Sequence, residues 1–307
     1  MTESLSVTGT ERHDPRYADI DVWPTGAILD ALAEAQMTAT ALVRAAVPQL
    51  EKIVDTALPG LQRGGRLFYV GAGTSGRIGM QDGVELTPTF GLPPERLVLL
   101  LAGGAGALFQ AAEGAEDQEE TARDEIMAHQ PTGNDVVFGI AASGGTPYTC
   151  AAIAAARAAG AMTVGIACNA EGRLLREAEY PVAIVTGPEV VAGSTRLKAG
   201  TAQKSALNLL STTLMIRLGH AYRGLMVDMR VVNAKLEKRA ESMVRTLAGG
   251  TEADIKDALK GAGKNVKRAV LLRHGLTLET AEMALSEAQG DLRLALNALK
   301  AKTSSDF

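Results

Sequence analysis

The 307-residue chain holds only two cysteines and four histidines, and each scarcity removes a class of function. Cys150 and Cys168 show no metal-ligand or redox spacing, so no disulfide framework is built, a reducing compartment suits the chain, and both thiols read as packing residues. His13, His129, His220 and His274 are scattered without an H-x-x-H or Cys/His pattern, so they read as surface or core residues and no metal is expected. A G-x-S-x-G nucleophile elbow is also missing. Basic residues never cluster, and the net charge of −4 argues against a protein that holds nucleic acid by its phosphates. The longest apolar-rich run, near 97–109, is too short to span a bilayer. The segment MTESLSVTGTERHDPRY lacks a basic start followed by an apolar core. The expectation is a soluble cytoplasmic protein with no nucleic-acid or membrane partner.

What remains is ample material for a core: 46% hydrophobic and 21% charged residues suit one large domain and a small one. Asp14-Pro15 and Trp23-Pro24 bias the backbone away from helix until about Thr25, giving an extended arm over 1–24. Helical spacing of Ile28, Leu29 and Leu32, then of Leu42, Ala45, Leu50, Ile53 and Val54, predicts two helices with a break permitted at Pro48. Five β-rich runs follow, at 66–70, 96–101, 135–140, 162–166 and 180–185, separated by segments long enough for crossover helices. Near-continuous apolar strands alternating with helices predict a parallel sheet covered on both faces, hence an α/β, doubly wound fold. A long helix from 198 to 218 and an amphipathic region at 231–247 come next. Beyond Gly249-Gly250-Thr251, helices are expected at 252–262, 265–273, 278–288 and 292–299. Gly263, Gly275 and Gly290 stand at helix ends, with Thr277 or Thr280 near a cap. The expected division is 1–58 for the arm and first helices, 59–250 for the α/β domain and 251–307 for a small all-helical module.

Gly71, Gly73 and Gly76 satisfy G-x-G-x-x-G. A dinucleotide site needs an acid ending the second strand to hold the ribose, and here that strand ends in Ala102-Gly103-Gly104. The following helix also reads as interrupted by Gly79, Gly83 and Pro88. The hydroxyls point elsewhere. Thr74 and Ser75 follow Gly73 in the first loop, and Ser143, Gly144 and Thr146 form a second loop that echoes it. Helix N-terminal amides with a few hydroxyls satisfy a phosphate monoester, so the pair of loops reads as the cradle of a sugar phosphate. Two acidic positions stand out: Glu85, and the group Glu113, Glu116 and Asp117, which reads equally as a solvated acidic helix face.

The motifs GAGTSGRIG (71–79), AEGAED (112–117), GIAASGGTPY (139–148), TVGIACN (163–169), EVVAGSTRLKAGTAQK (189–204) and LMVDM (225–229) resemble one family, the N-acetylmuramic acid 6-phosphate etherases of the sugar isomerase (SIS) fold. The C-terminal helices are similar to a ubiquitin-associated bundle. The resemblance implies a cytoplasmic lyase of amino-sugar catabolism and peptidoglycan recycling, working without a cofactor as a homodimer whose site lies near the interface. It implies Glu85 and Glu116 as the acid and base, preferring Glu116 to Glu113. It adds Ser194 and Lys198 to the phosphate-binding set of Gly73, Thr74, Ser75, Ser143, Gly144 and Thr146. Gly145 stands where the family commonly has arginine. Alternatives on the same fold are an aldose–ketose sugar-phosphate isomerase and a non-catalytic sensor similar to the glucokinase regulatory protein.

Overall fold

The computed structural model describes residues 9–110 and 112–305, with side chains as far as 301. Part of the expected arm, residues 1–8, lies outside the described residues. The rest is not extended: it forms three 3-10 turns, Gly9–Glu11, Pro15–Tyr17 and Ile20–Val22. Proline suits the first position of a helical turn, where its missing N–H is no loss. Asp14 then caps the second turn by accepting the Arg16 N–H at 3.0 Å.

Helices α1 (Thr25–Ala45) and α2 (Val47–Gln62) meet just before Pro48, as expected. The five strands are β1 (Leu67–Gly71), β2 (Leu97–Leu101), β3 (Val136–Ile140), β4 (Met162–Ala167) and β5 (Tyr180–Ala183). They form one parallel sheet in the order β2-β1-β3-β4-β5. Every residue of β1 and β3 is buried, which is why these runs are apolar throughout rather than alternating. The helices between and after the strands are α3 (Gly73–Val84), α4 (Leu86–Phe90), α5 (Glu119–Ala128), α6 (Pro147–Ala158), α7 (Arg173–Glu177) and α8 (Lys198–Arg217). The last five are α9 (Ala234–Ala248), α10 (Glu252–Gly261), α11 (Val266–Arg273), α12 (Leu278–Glu287) and α13 (Leu292–Ser305).

Another expectation is overturned: α3 runs unbroken through Gly79 and Gly83. These glycines are contacts, not breaks. A Cβ on Gly76 would lie 2.4 Å from Leu101 Cδ1 and 2.7 Å from the Gly71 carbonyl, one on Gly79 2.7 Å from Ile140 Cδ1, and one on Gly83 2.7 Å from Leu99 Cδ2. Their bare backbone lets α3 sit directly on the sheet, and that close approach offsets the lower helix propensity of glycine.

The start of β3 is tied to that of β1 by Asp135, 2% exposed. Its carboxylate accepts from the Arg66 N–H at 2.8 Å, Arg66 Nη2 at 2.8 Å and the Thr132 N–H at 2.8 Å. Burial alone would raise its pKa, but the Arg66 and Thr132 hydrogen bonds outweigh it and hold the group below its ordinary 3.8. A carboxyl whose pKa is lower in the folded state stabilises above its unfolded pKa and loses that contribution as pH falls through the folded value. Asp135→Asn should therefore lose about 2–3 kcal/mol at neutral pH. Its urea midpoint should also fall less steeply than that of the parent as pH drops below about 4.

By contact density the chain divides into two compact units. The first takes residues up to Gly83 with Glu95–Ser211, and the second takes Val84–Pro94 with residues from Thr212 onward. The first contains the sheet. In the second, α9 buries Ala240, Met243 and Val244 in the same apolar cluster as Ile255, Leu259, Val270 and Leu296. The boundary expected at 250 therefore falls inside this unit. Thr251 and Thr277 cap α10 and α12, and Gly263, Gly275 and Gly290 have φ of 60°, 90° and 80°.

Candidate active site

The chain leaves β1, adds β2 on one side, then returns across β1 to add β3 on the other. Such a reversal opens a crevice at the carboxyl ends of β1 and β3, where ligands of doubly wound sheets bind. Gly71, the last residue of β1, is in register with Ile140, the last of β3. The two hydroxyl loops predicted from sequence therefore emerge side by side.

In the first loop the ladder of α3 begins with the Gly76 N–H on the Ala72 carbonyl, 3.0 Å. The N–H groups of Gly73, Thr74 and Ser75 precede it, as the first amides of any helix do. Gly73 has φ 52°, a conformation that lets this turn start one residue after the strand. In the second loop the ladder of α6 begins with the Cys150 N–H on the Thr146 carbonyl at 3.0 Å. Gly144 has φ 71°, and a Cβ there would stand 2.7 Å from Gly172. Ser143 Oγ accepts the Gly145 N–H at 3.1 Å, which leaves its own proton to be donated. Thr146 is the N-cap of α6 and makes no side-chain capping bond.

Ser75 is engaged differently. Its hydroxyl, 8% exposed, donates to Gln203 Oε1 of α8 at 2.9 Å, while Gln203 Nε2 is buried with no partner among the described residues. Gln203 lies within the 189–204 motif, but its spacing did not single it out, because a pairing across so long a separation leaves no local periodicity.

Helix α8 approaches the same place: a Cβ on Gly200 would lie 3.7 Å from Thr74 Cγ2. Its N-terminus is filled by the chain itself. Glu189, 1% exposed, accepts the Lys198 N–H at 3.0 Å and the Ala199 N–H at 2.8 Å, placing a carboxylate at the positive end of the helix. Lys198, 9% exposed, donates its ammonium to the Pro188 carbonyl at 2.7 Å. Ser194 sits half-buried in the turn before α8. Cys168 follows β4 and is buried, and that burial pushes its thiol up to about 12, the environment of a packing thiol rather than an activated one.

Of the acidic residues, Glu116 lies in a 3-10 turn, Ala115–Asp117, that precedes α5. It does not lie on an acidic helix face. The loop after β2 folds back on Gly103, whose added Cβ would meet Ala112, Ala107 and Ala115, and the turn packs against α6. The turn that carries Glu116 therefore lies close to Gly103, just past the carboxyl end of β2, and Glu116 is exposed on it. Glu85 belongs to the second unit. It is the N-cap of α4, exposed, and its side chain makes no capping bond. Among the described residues no three His, Cys, Asp or Glu side chains group as metal ligands, and no helix is long and apolar enough to cross a membrane.

Residues 115–213 match the family model of the SIS domain, and residues 49–157 that of the glucokinase regulatory protein N-terminal SIS domain. The N-acetylmuramic acid 6-phosphate etherase of Deinococcus radiodurans is 50% identical over 94% of this chain and 94% of its own. Those of Streptomyces avermitilis and Mycolicibacterium smegmatis are 44% and 43% identical, over 97% and 96% of this chain and 96% and 99% of their own. Identity of this depth, sustained over nearly the full length of both partners, means that the chain belongs to the N-acetylmuramic acid 6-phosphate etherase family.

Proposed function

We propose that this chain is a carbon–oxygen lyase that cleaves the D-lactyl ether of N-acetylmuramic acid 6-phosphate, giving N-acetylglucosamine 6-phosphate and D-lactate. In the open-chain sugar the C1 aldehyde acidifies the C2 proton, and the lactyl oxygen on C3 lies β to that carbonyl. Glu116 takes the C2 proton while Glu85 gives a proton to the departing ether oxygen. Water then adds to C3 of the unsaturated aldehyde with the two groups reversing roles. One carboxyl must be protonated when the other is not.

The 6-phosphate is received by Gly73, Thr74 and Ser75 of the first loop and Ser143, Gly144 and Thr146 of the second, with Ser194 and Lys198 beside them. The observation that carries this reading is the register of Gly71 with Ile140, which brings two helix N-termini and their hydroxyls to one crevice. Gln203 belongs to the cradle as well. With its amide reversed, Nε2 donates to Ser75 Oγ, and the Ser75 proton is released to the phosphate. A carboxylate only accepts, so Gln203→Glu should hold the Ser75 proton and raise KM for the sugar phosphate roughly tenfold or more. Added to Ser75→Ala, it should raise KM little further.

The working form is a cytoplasmic homodimer. Leu29, Ala33 and Met37 make one exposed apolar stripe on α1, with Leu29 61% and Met37 66% exposed, while Ala31, Ala35, Ala39 and Val43 face inward. Light scattering after gel filtration should give a dimer for the parent and a monomer for the double variant Leu29→Lys, Met37→Lys. A double variant that remains dimeric moves the interface elsewhere.

The deciding experiment is incubation with N-acetylmuramic acid 6-phosphate without added metal or nucleotide. Equimolar D-lactate and N-acetylglucosamine 6-phosphate are expected. A ketose phosphate without lactate would make the chain an isomerase, and no turnover would make it a sensor.

A further inference from the structure

Helix α4 has five residues, too few to hold itself in water, and the carboxylate of its N-cap, Glu85, makes no capping bond to steady it. Its support comes from the segment around Asp228. Pro88, inside α4, accepts the Arg230 N–H at 3.2 Å. Gly91 closes α4 with φ 68°, and a Cβ there would stand 2.4 Å from the Asp228 carbonyl oxygen and 3.3 Å from Asp228 Cβ. The backbone of 228–230 is thus the bed on which the turn after Glu85 lies.

That bed is fixed by side chains far away in sequence. The Asp228 carboxylate lies 2.9 Å from His220 Nδ1 and accepts from Lys267 Nζ. The Lys267 side chain is 6% exposed and also donates to the Gly290 carbonyl at 2.6 Å. Lys267 stands on α11, and Gly290 in the turn before α13. A lysine buried to this degree is uncommon unless paired, and losing one partner of such a pair leaves the other charge uncompensated. The same turn closes on the loop from the other side: a Cβ on Gly219 would meet Asp291 at 3.0 Å, and Arg293 lies over the Tyr222 ring, 4.9 Å from its centroid.

We infer that Lys267, Asp228 and His220 are positioning residues: through them the C-terminal helices hold the α4 turn and aim Glu85. The inference rests on the role given to Glu85 above. In this way the C-terminal helices set the geometry of one of the two carboxyls.

The test uses the full chain and N-acetylmuramic acid 6-phosphate in deuterated water, following lactate release and deuterium at C2 per folded molecule, with folding measured by circular dichroism. The variants are Lys267→Met, which removes the charge while keeping an unbranched stem, and Gly91→Ala, which loads the same turn from the opposite side. Glu85→Gln is the reference. Lys267→Met and Gly91→Ala should each slow lactate release at least about tenfold, as misplacement of a reacting group does. Each should shift the ratio of C2 exchange to release in the same direction as Glu85→Gln and leave KM within about twofold, the difference expected when no binding contact is lost. Folded Lys267→Met and Gly91→Ala that release lactate at the parent rate beside an inactive Glu85→Gln overturn the positioning role alone. So does a loss of exchange and release in proportions unlike those of Glu85→Gln. Parent-like release by Glu85→Gln overturns the role of Glu85 and the positioning role with it.

Discussion

Glu116→Gln and Glu85→Gln should each lower lactate release by roughly 10²–10⁴-fold, the usual contribution of a positioned acid or base, with KM for the sugar phosphate little changed. Glutamine keeps the shape of the side chain and removes only its ability to gain or lose a proton. The phosphate loops of β1 and β3 are left intact, so binding survives while chemistry stops. The two variants should differ in one respect. With Glu116 gone, the C2 proton should no longer exchange with deuterated solvent. With Glu85 gone, exchange should continue while the ether bond holds, because the base still works and only the leaving group lacks its proton. Full lactate release by both variants would remove this pair from the mechanism, and the reverse pattern of exchange would swap their roles.

Gly76→Ala should damage both the stability of the sheet domain and the binding of the sugar phosphate. The new Cβ would lie 2.4 Å from Leu101 Cδ1 and 2.7 Å from both the carbonyl carbon and oxygen of Gly71. The leucine can turn away, but the Gly71 backbone is locked between β2 and β3. The only relief is for α3 to lift off β1. Overpacking of this kind costs about 1–3 kcal/mol, and contact with backbone puts this case at the upper end. Lifting α3 also moves the amides of Gly73, Thr74 and Ser75, so KM should rise together with the loss in urea midpoint. A variant with parent-like stability and KM would show that α3 does not need its close seat.

The five strands were legible because a strand buried on both faces needs an unbroken apolar run, and these runs are short enough to be distinguished from helices. The two hydroxyl loops were legible for the same reason: each follows such a run directly. The glycines of α3 were misread because a glycine that interrupts a helix and one that seats it on a sheet look alike until the facing residues, Leu101, Ile140 and Leu99, are known. Glu116 illustrates the opposite limit. Its acidic neighbourhood suggested a helix face, whereas Gly114, with φ 70°, turns the chain into a tight 3-10 turn. Glu189 and Gln203 lie within the 189–204 motif but nothing in their spacing marked their roles, and Lys267 left no local signal at all. Each acts through a partner distant in sequence, and single-sequence periodicity carries no information about such pairs.

Because Val84–Pro94 belongs with the residues from Thr212 onward, the second unit is written in two separate stretches of the gene. No single cut can free it. A chain ended at the Gly249-Gly250 pair would keep α4 but lose Lys267 and the Gly290 carbonyl, leaving Asp228 without its cation. Likewise, one recombination crossover between two relatives, falling anywhere between codons 94 and 212, would join the Gly91 turn of one parent to the Asp228 bed of the other. Inheritance of these C-terminal helices is therefore tied to a short internal stretch that a linear map of domains would assign elsewhere.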